Sequence, residues 1–139
     1  MTLVVDASVA CKWFVVEEGS AEALARAATG ETLVAPDLII AEACNVAWKK
    51  RRTGEMTPGQ ADLLTGQLAS VFQLIFPSAP FAARALAVAE SLAHPVYDCF
   101  YLALAEHLKV QLVTADARFL NRLKGTAWQG QSVCLGRAP

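Results

Sequence analysis

Residues 96–119 read VYDCFYLALAEHLKVQLVTADARF, and this stretch shows how the chain is built. We predict a helix over about Val96 to Leu108, which follows a break in the chain at a proline. The short apolar run Gln111 to Thr114 predicts a buried strand. Asp116 is placed to cap a second helix that continues to Leu123. A helix, a strand and another helix in immediate succession indicate an α/β fold.

The same alternation extends through the rest of the chain. Strands separated by helices imply right-handed crossovers and a mostly parallel sheet with helices on both faces. In such a sheet the ligand site lies at the carboxyl ends of the strands. The other predicted strands are Thr2 to Val5, Thr32 to Ala35, Val71 to Phe76 and a weak one at Ser132 to Leu135, and the other predicted helices are Ser8 to Phe14, Ser20 to Gly30, Asp37 to Gly54, Thr57 to Ser70 and Pro80 to Leu92.

Length and composition set limits on what this chain can be. The 139 residues fit one domain, which we assign to 1–139, and 55% apolar against 18% charged residues argue against disorder. Charged residues interrupt every apolar run before it reaches the roughly 18–20 residues that a membrane span needs. Asp6 also interrupts the apolar N-terminal segment, which argues against a signal peptide. We therefore expect a cytoplasmic protein.

Four acidic residues stand at positions that chemistry can use. Asp6 ends the first strand, Asp116 follows the fourth, Asp98 lies in the first turn of a helix, and Glu42 lies about one turn into another. Each of them alone could simply cap a helix or accept backbone hydrogen bonds. Together they point toward one edge of the sheet, where like charges raise one another's pKa or need a cation. Carboxylate oxygens suit Mg²⁺ or Mn²⁺.

With these acids in this order, the chain resembles the PIN-domain ribonucleases, and most closely the VapC-type toxins of bacterial toxin–antitoxin pairs. The resemblance covers essentially the whole length, and its most specific part runs from the helix around Asp98 into the strand before Asp116. An isolated D-x-S motif would carry no information, whereas the ordered set at these intervals is specific. The matching segments are Val4 to Ser8, Pro36 to Asn45, Tyr97 to Ala105 and Leu112 to Phe119.

The resemblance implies a single PIN-like domain with a parallel sheet of about five strands. It also implies a Mg²⁺ or Mn²⁺ site built from Asp6, Glu42, Asp98 and Asp116, with the hydroxyls of Ser8 and Thr114 orienting the carboxylates. The implied reaction is hydrolysis of RNA by a metal-activated water, which leaves a 5′-phosphate and a 3′-hydroxyl. A cognate antitoxin and a homodimer are the implied protein partners. The last strand gives this resemblance the least support.

The basic residues suggest where RNA would bind. The net charge of −1 becomes mildly positive once the four acids are set aside, so the remaining surface is compatible with an RNA substrate. The run Lys49, Lys50, Arg51 and Arg52 is the candidate phosphate-contacting patch, and Lys12 lies close to Asp6 in sequence. Cations in a last helical turn are also ordinary partners of the helix dipole. The sequence leaves both roles open.

Other functions remain to be weighed against nuclease activity. A PIN fold could act mainly as an interaction module through a bound antitoxin, with Trp13, Phe14 or Trp48 in the groove, although core packing competes for these aromatics. A non-toxin PIN nuclease is the other alternative. A phospho-acceptor receiver domain is disfavoured because the first strand ends in a single acid. A haloacid-dehalogenase-type phosphatase lacks its second aspartate in Asp6-Ala7-Ser8. Surface or packing roles are expected for His94 and His107.

Overall fold

The computed structural model describes residues 1–135, which form an alternating series of strands and helices. Gly136 and Pro139, which flank the last predicted strand, lie outside this part of the chain. The elements are β1 (Thr2–Val5), α1 (Ala7–Ala10), α2 (Ser20–Ala28), β2 (Thr32–Pro36), α3 (Leu38–Thr53), α4 (Pro58–Val71), β3 (Leu74–Phe76), α5 (Ala82–Leu92), α6 (Val96–Leu108), β4 (Gln111–Thr114), α7 (Ala117–Leu123) and β5 (Ser132–Cys134), with short 3₁₀ helices at Cys11–Trp13, Ala79–Phe81 and Gln129–Gln131.

The five strands form one parallel sheet in the order β3-β2-β1-β4-β5. Strand β1 lies at its centre, where Val4 is in register with Val34 on one side and Leu112 on the other. The chain adds β2 and β3 on one side of β1 and then β4 and β5 on the other. The order therefore reverses between β1 and β4, and the carboxyl ends of these two strands are neighbours. The predicted α/β class and five-stranded parallel sheet are confirmed.

The central strand is covered on both faces. Leu3, Val4 and Val5 are completely buried, and because successive strand residues point to opposite faces, both sides of β1 must be packed. Helix α6 supplies part of this cover by packing against β1, β2 and β4. Each fully buried Leu or Val contributes about 1.5–3 kcal/mol relative to an exposed one. This rigid core fixes the ends of β1 and β4.

Two element boundaries differ from the sequence-based prediction. The helix predicted from Thr57 is present and opens with the capping box that Thr57 and Gln60 indicate, but it continues through Val71, so β3 begins at Leu74. The prediction of a strand that begins at Val71 was wrong. The β-branched side chain of Val71 favours a strand, but this residue belongs to the last turn of the helix. Phe72 ends the helix, and its ring centroid lies 5.5 Å from that of Trp13. Helix α5 begins after a 3₁₀ turn, at Ala82.

Helix starts show a second difference. The helix predicted from Ser8, with that serine as its cap, begins instead at Ala7, and its cap is Asp6, whose carboxylate accepts the N–H of Val9. Asp37 does precede α3 as predicted, but its carboxylate accepts the N–H and the hydroxyl of Ser78 and does not cap its own helix. Among residues 1–135, no helix combines the length and the apolar character needed to cross a membrane.

Candidate functional site

The four acids predicted from the sequence line one cleft at the carboxyl edge of the sheet. Asp6 follows β1, Asp116 follows β4, Asp98 is the third residue of α6, and Glu42 is the fifth residue of α3. The cleft has a volume of about 180 Å³. It is lined by Asp6, Ala7, Ser8, Glu42, Val46, Asp98, Tyr101 and Asp116. The structure thus brings the four acids together, while their chemical role stays a prediction.

Asp6 is the most deeply buried of the acids, with 4% of its surface exposed. Its Oδ1 accepts the hydroxyl of Ser8 at 2.6 Å and the N–H of Val9 at 3.2 Å. Burial raises the pKa of Asp6 from 3.8 to about 7, against the hydrogen bonds from Ser8 and Thr114, and the charge of Asp98 adds to the rise. An ionised Asp6 is therefore costly in the metal-free protein.

Ser8 and Thr114 connect the two central strand ends. The Ser8 hydroxyl accepts the N–H of Ala115 at 2.9 Å, and the Thr114 hydroxyl accepts the N–H of Asp116 at 3.0 Å. The two hydroxyl oxygens lie 3.4 Å apart. These contacts tie the segment after β4 to the start of α1, so the positions of Asp6 and Asp116 depend on each other. Such contacts fit the predicted role of orienting carboxylates.

Glu42 is held by a residue that the sequence did not single out. The Tyr101 hydroxyl donates to Glu42 Oε1 at 2.7 Å, and Tyr101 itself is 1% exposed. Burial raises the pKa of Glu42, an effect that the Tyr101 hydrogen bond opposes and the charge of Asp98 reinforces. Tyr101 follows Asp98 by three residues, on the same side of α6. This spacing was the available signal for its role.

Asp98 and Asp116, two of the residues that line the cleft, lie close to a histidine. His94 Nε2 lies 2.6 Å from Asp98 Oδ2, and one ligand atom from each of His94, Asp98 and Asp116 lies within 4.8 Å of the others. Burial raises the pKa of Asp98; the His94 hydrogen bond opposes this and the charge of Asp116 adds to it. Asp116 caps α7 by accepting the N–H groups of Arg118 and Phe119. Its predicted capping role is confirmed.

The expectation of a surface or packing role for His94 was incomplete. Its side chain is only 8% exposed and does pack, with its ring centroid 4.9 Å from that of Phe119, but it also contacts a site acid. The available signal was its position four residues before Asp98 across a helix start, a spacing that brings side chains together. His107, by contrast, is exposed and its ring lies edge-on to Phe81.

The donor set of the cleft suits a divalent cation. Four carboxylates converge there, and the pKa values of Asp6, Glu42 and Asp98 are raised, mainly by burial and in part by neighbouring acids. Within residues 1–135, no lysine or arginine lines this cleft. Hard oxygen ligands with uncompensated charge are what Mg²⁺ and Mn²⁺ prefer. The residues present therefore fit such an ion.

The predicted RNA-contacting residues differ in their partners. Lys12 and Lys50 both contact the carboxylate of Glu17, at 3.1 Å and 2.6 Å. In the same basic run, Arg51 donates to the carbonyl of Met56. Arg51 is exposed, as are Lys49 and Arg52, and the guanidinium of Arg52 lies 4.9 Å from the ring centroid of Trp48.

The chain belongs to the PIN-domain family, since the model of that family, described as "PIN domain", matches residues 3–124. It is 32% identical over 124 residues to a protein named Ribonuclease VapC3 from Pyrobaculum aerophilum, a match that covers 88% of this chain and 95% of that protein. Two of the alternatives weighed above, a receiver domain and a haloacid-dehalogenase-type phosphatase, are thereby excluded.

Two solved structures share the fold at lower identity. The crystal structure of PAE2754 from Pyrobaculum aerophilum matches with a TM-score of 0.66 and 24% identity, over 97% of this chain and 92% of that one. A toxin–antitoxin complex from Klebsiella pneumoniae contains a chain that matches with a TM-score of 0.65 and 18% identity, over 94% and 95%. At such identities the likeness extends to the fold alone.

Proposed function

We propose that this protein is a metal-dependent endoribonuclease and the toxin of a toxin–antitoxin pair. The observation that carries the proposal is the cleft lined by Asp6, Glu42, Asp98 and Asp116, which is rich in carboxylates and has no lysine or arginine among its lining residues in the described part of the chain. The family match places this arrangement in a chain related to a ribonuclease. The site and the family therefore point to the same activity.

The four acids are the residues that would hold Mg²⁺ or Mn²⁺. Such an ion, when bound, lowers the pKa of a water molecule toward 7 and offsets the negative charge that develops on the phosphate. Asp6, Asp98 and Asp116 are assigned as direct ligands, and Glu42 as a ligand directly or through water. Ser8 and Thr114 keep the ends of β1 and β4 in place, so the carboxylates are oriented before the ion arrives.

RNA reaches the cleft as a polyanion, so cations near its rim would bind the phosphate backbone. Lys49 and Arg52 are the members of the basic run that we assign to this role. Lys12 and Lys50 each contact Glu17, and a phosphate would have to compete with that carboxylate. The expected products are a 5′-phosphate and a 3′-hydroxyl.

We assign three further properties on the same basis. The protein partner is a cognate antitoxin, in keeping with the toxin–antitoxin complex whose chain shares the fold. The protein is a homodimer in the cytoplasm. Sedimentation of the purified protein tests the dimer, and co-expression with the product of a neighbouring small gene tests the antitoxin.

Cleavage of total RNA by the purified protein tests the nuclease directly. Mg²⁺ or Mn²⁺ should support cleavage, and excess chelator should abolish it. Asp6→Asn, which retains the helix cap, should be inactive. Asp62→Asn is the matched control, since Asp62 is exposed on α4 and lies outside the cleft, and it should remain active. Undiminished cleavage in excess chelator would rule out the metal mechanism.

A specific surface feature favours a second candidate, an interaction module. Trp48 on α3 is 56% exposed, and Arg52 covers one face of its ring. An exposed tryptophan of this kind is typical of protein-binding surfaces. Trp13, in contrast, is a packing residue that donates its indole N–H to Ala23 O. If the Asp6→Asn protein inhibits growth as the parent does, the interaction module is the correct function.

A further inference from the structure

His94 occupies a position that the fold fixes closely. It lies in the turn between α5 and α6, after Ala93, whose φ of 50° is in the left-handed region, and before Pro95, which caps α6. Its side chain is 8% exposed. The ring contacts Phe119 on α7, with the two centroids 4.9 Å apart. The imidazole is therefore held between the start of α6 and the helix that Asp116 caps.

From this position the imidazole reaches one carboxylate oxygen. Nε2 lies 2.6 Å from Asp98 Oδ2, which is within hydrogen-bond distance. Asp98 needs such a partner because Asp116 is close by and of the same charge. Without one, its carboxylate could rotate about its side-chain bonds away from Asp116. The hydrogen bond fixes both the rotation and the location of this group.

We propose that His94 is a positioning residue of the metal site, which donates Nε2–H to Asp98 Oδ2 and so leaves Oδ1 for the cation. This inference rests on the proposed metal-dependent function, and it adds His94 to Ser8 and Thr114 as side chains that orient the four acids. Residues that orient ligands in this way typically change metal affinity by 10–100-fold when they are removed. The tilted contact with Phe119, with the ring centroids 4.9 Å apart, does not depend on a cation and so would hold the imidazole before one binds.

Metal binding by purified, metal-free protein tests the inference without relying on activity. Mn²⁺ affinity is measured by electron paramagnetic resonance for the parent, His94→Gln and His94→Phe. Glutamine retains an N–H donor near the position of Nε2, whereas phenylalanine retains a ring against Phe119 and no donor. We expect about a tenfold or larger loss of Mn²⁺ affinity in the phenylalanine variant and a smaller loss in the glutamine variant. His107→Phe is the matched control and should bind Mn²⁺ as the parent does.

Other results would overturn the inference. If the phenylalanine variant binds Mn²⁺ as well as the parent and the glutamine variant does not, the ring acts by packing alone. Electron spin echo spectroscopy of Mn²⁺-loaded parent needs no variant: strong ¹⁴N modulation from a directly coordinated imidazole would make His94 a ligand and refute positioning, and its absence supports positioning. A parent that does not bind Mn²⁺ at all would refute the proposed function itself, which distinguishes the two failures.

Discussion

Two regions of this protein surround acidic side chains with opposite electrostatic environments. At Glu17, two lysines supply the balancing charge: burial works against ionisation, but the hydrogen bonds from Lys50 and Lys12 outweigh it and lower the pKa of Glu17. In the cleft, burial raises the pKa values of Asp6, Glu42 and Asp98, and the hydrogen bond from His94 opposes the rise at Asp98 without cancelling it; no lysine or arginine within residues 1–135 lines the cleft.

The opposite pKa shifts distinguish an acid whose ionised form stabilises the fold from acids whose ionised forms destabilise it. Glu17 connects the segment before α2 to α3 through Lys50, so its ionised form contributes to stability. The protein loses stability when the cleft acids ionise without a bound cation. Such a loss is common at residues that serve function at the expense of stability. Since no lysine or arginine among the described residues lines the cleft, a bound cation would supply the balancing charge.

The largest effect is expected from Asp98→Asn. The substitution removes one ligand charge and keeps the shape, so cleavage of RNA should fall by orders of magnitude. Stability of the metal-free protein should hold or rise by about 0.5–2 kcal/mol, because repulsion from Asp116 is relieved. Mg²⁺ at 100 times its Kd should stabilise the parent by about 2.7 kcal/mol, and the variant much less. Thermal melts without and with Mg²⁺ measure the metal-free stability and the stabilisation by Mg²⁺.

Asp62→Asn serves as the control for those melts, since Asp62 is exposed and outside the cleft. Its melting temperature and its response to Mg²⁺ should match the parent's. A destabilised Asp98→Asn protein whose melting temperature still rises with Mg²⁺ as the parent's does would place Asp98 among the structural acids. Asp98 would then resemble Glu17, as an acid that stabilises the fold, and would not be a metal ligand.

The second prediction concerns pH and Asp6. Its pKa is raised in the folded state, so the folded protein binds more protons than the unfolded chain between pH 3.8 and about 7. The contribution of this group to stability is present at low pH and is lost as pH rises through that window, by an upper limit on the order of 4 kcal/mol. Urea unfolding of the metal-free parent should show this loss, and Asp6→Asn should show much less of it.

A flat difference between parent and Asp6→Asn from pH 4 to 7 would contradict the prediction. Asparagine can cap α1 as aspartate does, so the cap itself does not confound the measurement. Added Mg²⁺ at pH 7.5 should restore stability to the parent and have little effect on the variant, because the ion supplies the charge that the cleft lacks.

The sequence predicted the sheet and the location of the four acids well, for physical reasons. Strand ends in a parallel sheet meet at one edge, so the position of an acid after a strand already determines where it lies. The roles of Ser8, His94 and Tyr101 depended on side-chain contacts that no periodic pattern encodes. Ser8 looked like a helix cap, and only the packing of β4 beside β1 shows that its hydroxyl accepts the N–H of Ala115.

The third prediction concerns Glu17, which forms ion pairs with Lys12 and Lys50. Glu17→Gln should lower metal-free stability by about 1 kcal/mol, because it removes ion pairs that are partly shielded from solvent. The contribution of Glu17 is present above its unfolded pKa of 4.5 and is lost as pH falls through its lower folded value. This pH dependence is opposite in sign to that of Asp6. Glu18→Gln, which changes an exposed neighbour, is the control and should be neutral.

The smallest effect is expected at Lys49 and Arg52, the two residues of the basic run that we assign to RNA binding. A double variant, Lys49→Gln with Arg52→Gln, should weaken RNA binding and flatten its salt dependence by roughly one unit of slope per lost phosphate contact. Lys50→Gln changes a residue whose ammonium contacts Glu17, so it should lower stability and leave the slope nearly unchanged. Binding is measured with catalytically inactive Asp6→Asn protein at several salt concentrations.

Lys109→Gln is the control, because Lys109 borders a cavity at the amino ends of β1 and β4, the opposite edge of the sheet from the cleft. Its salt slope should equal that of the parent. If the Lys49 and Arg52 variant also retains the parental slope but melts at a lower temperature, these cations act on the dipole of α3, and RNA is bound elsewhere. If Lys50→Gln flattens the slope as well, an RNA phosphate replaces the carboxylate of Glu17 as the partner of Lys50. Lys50 is then part of the RNA-binding surface.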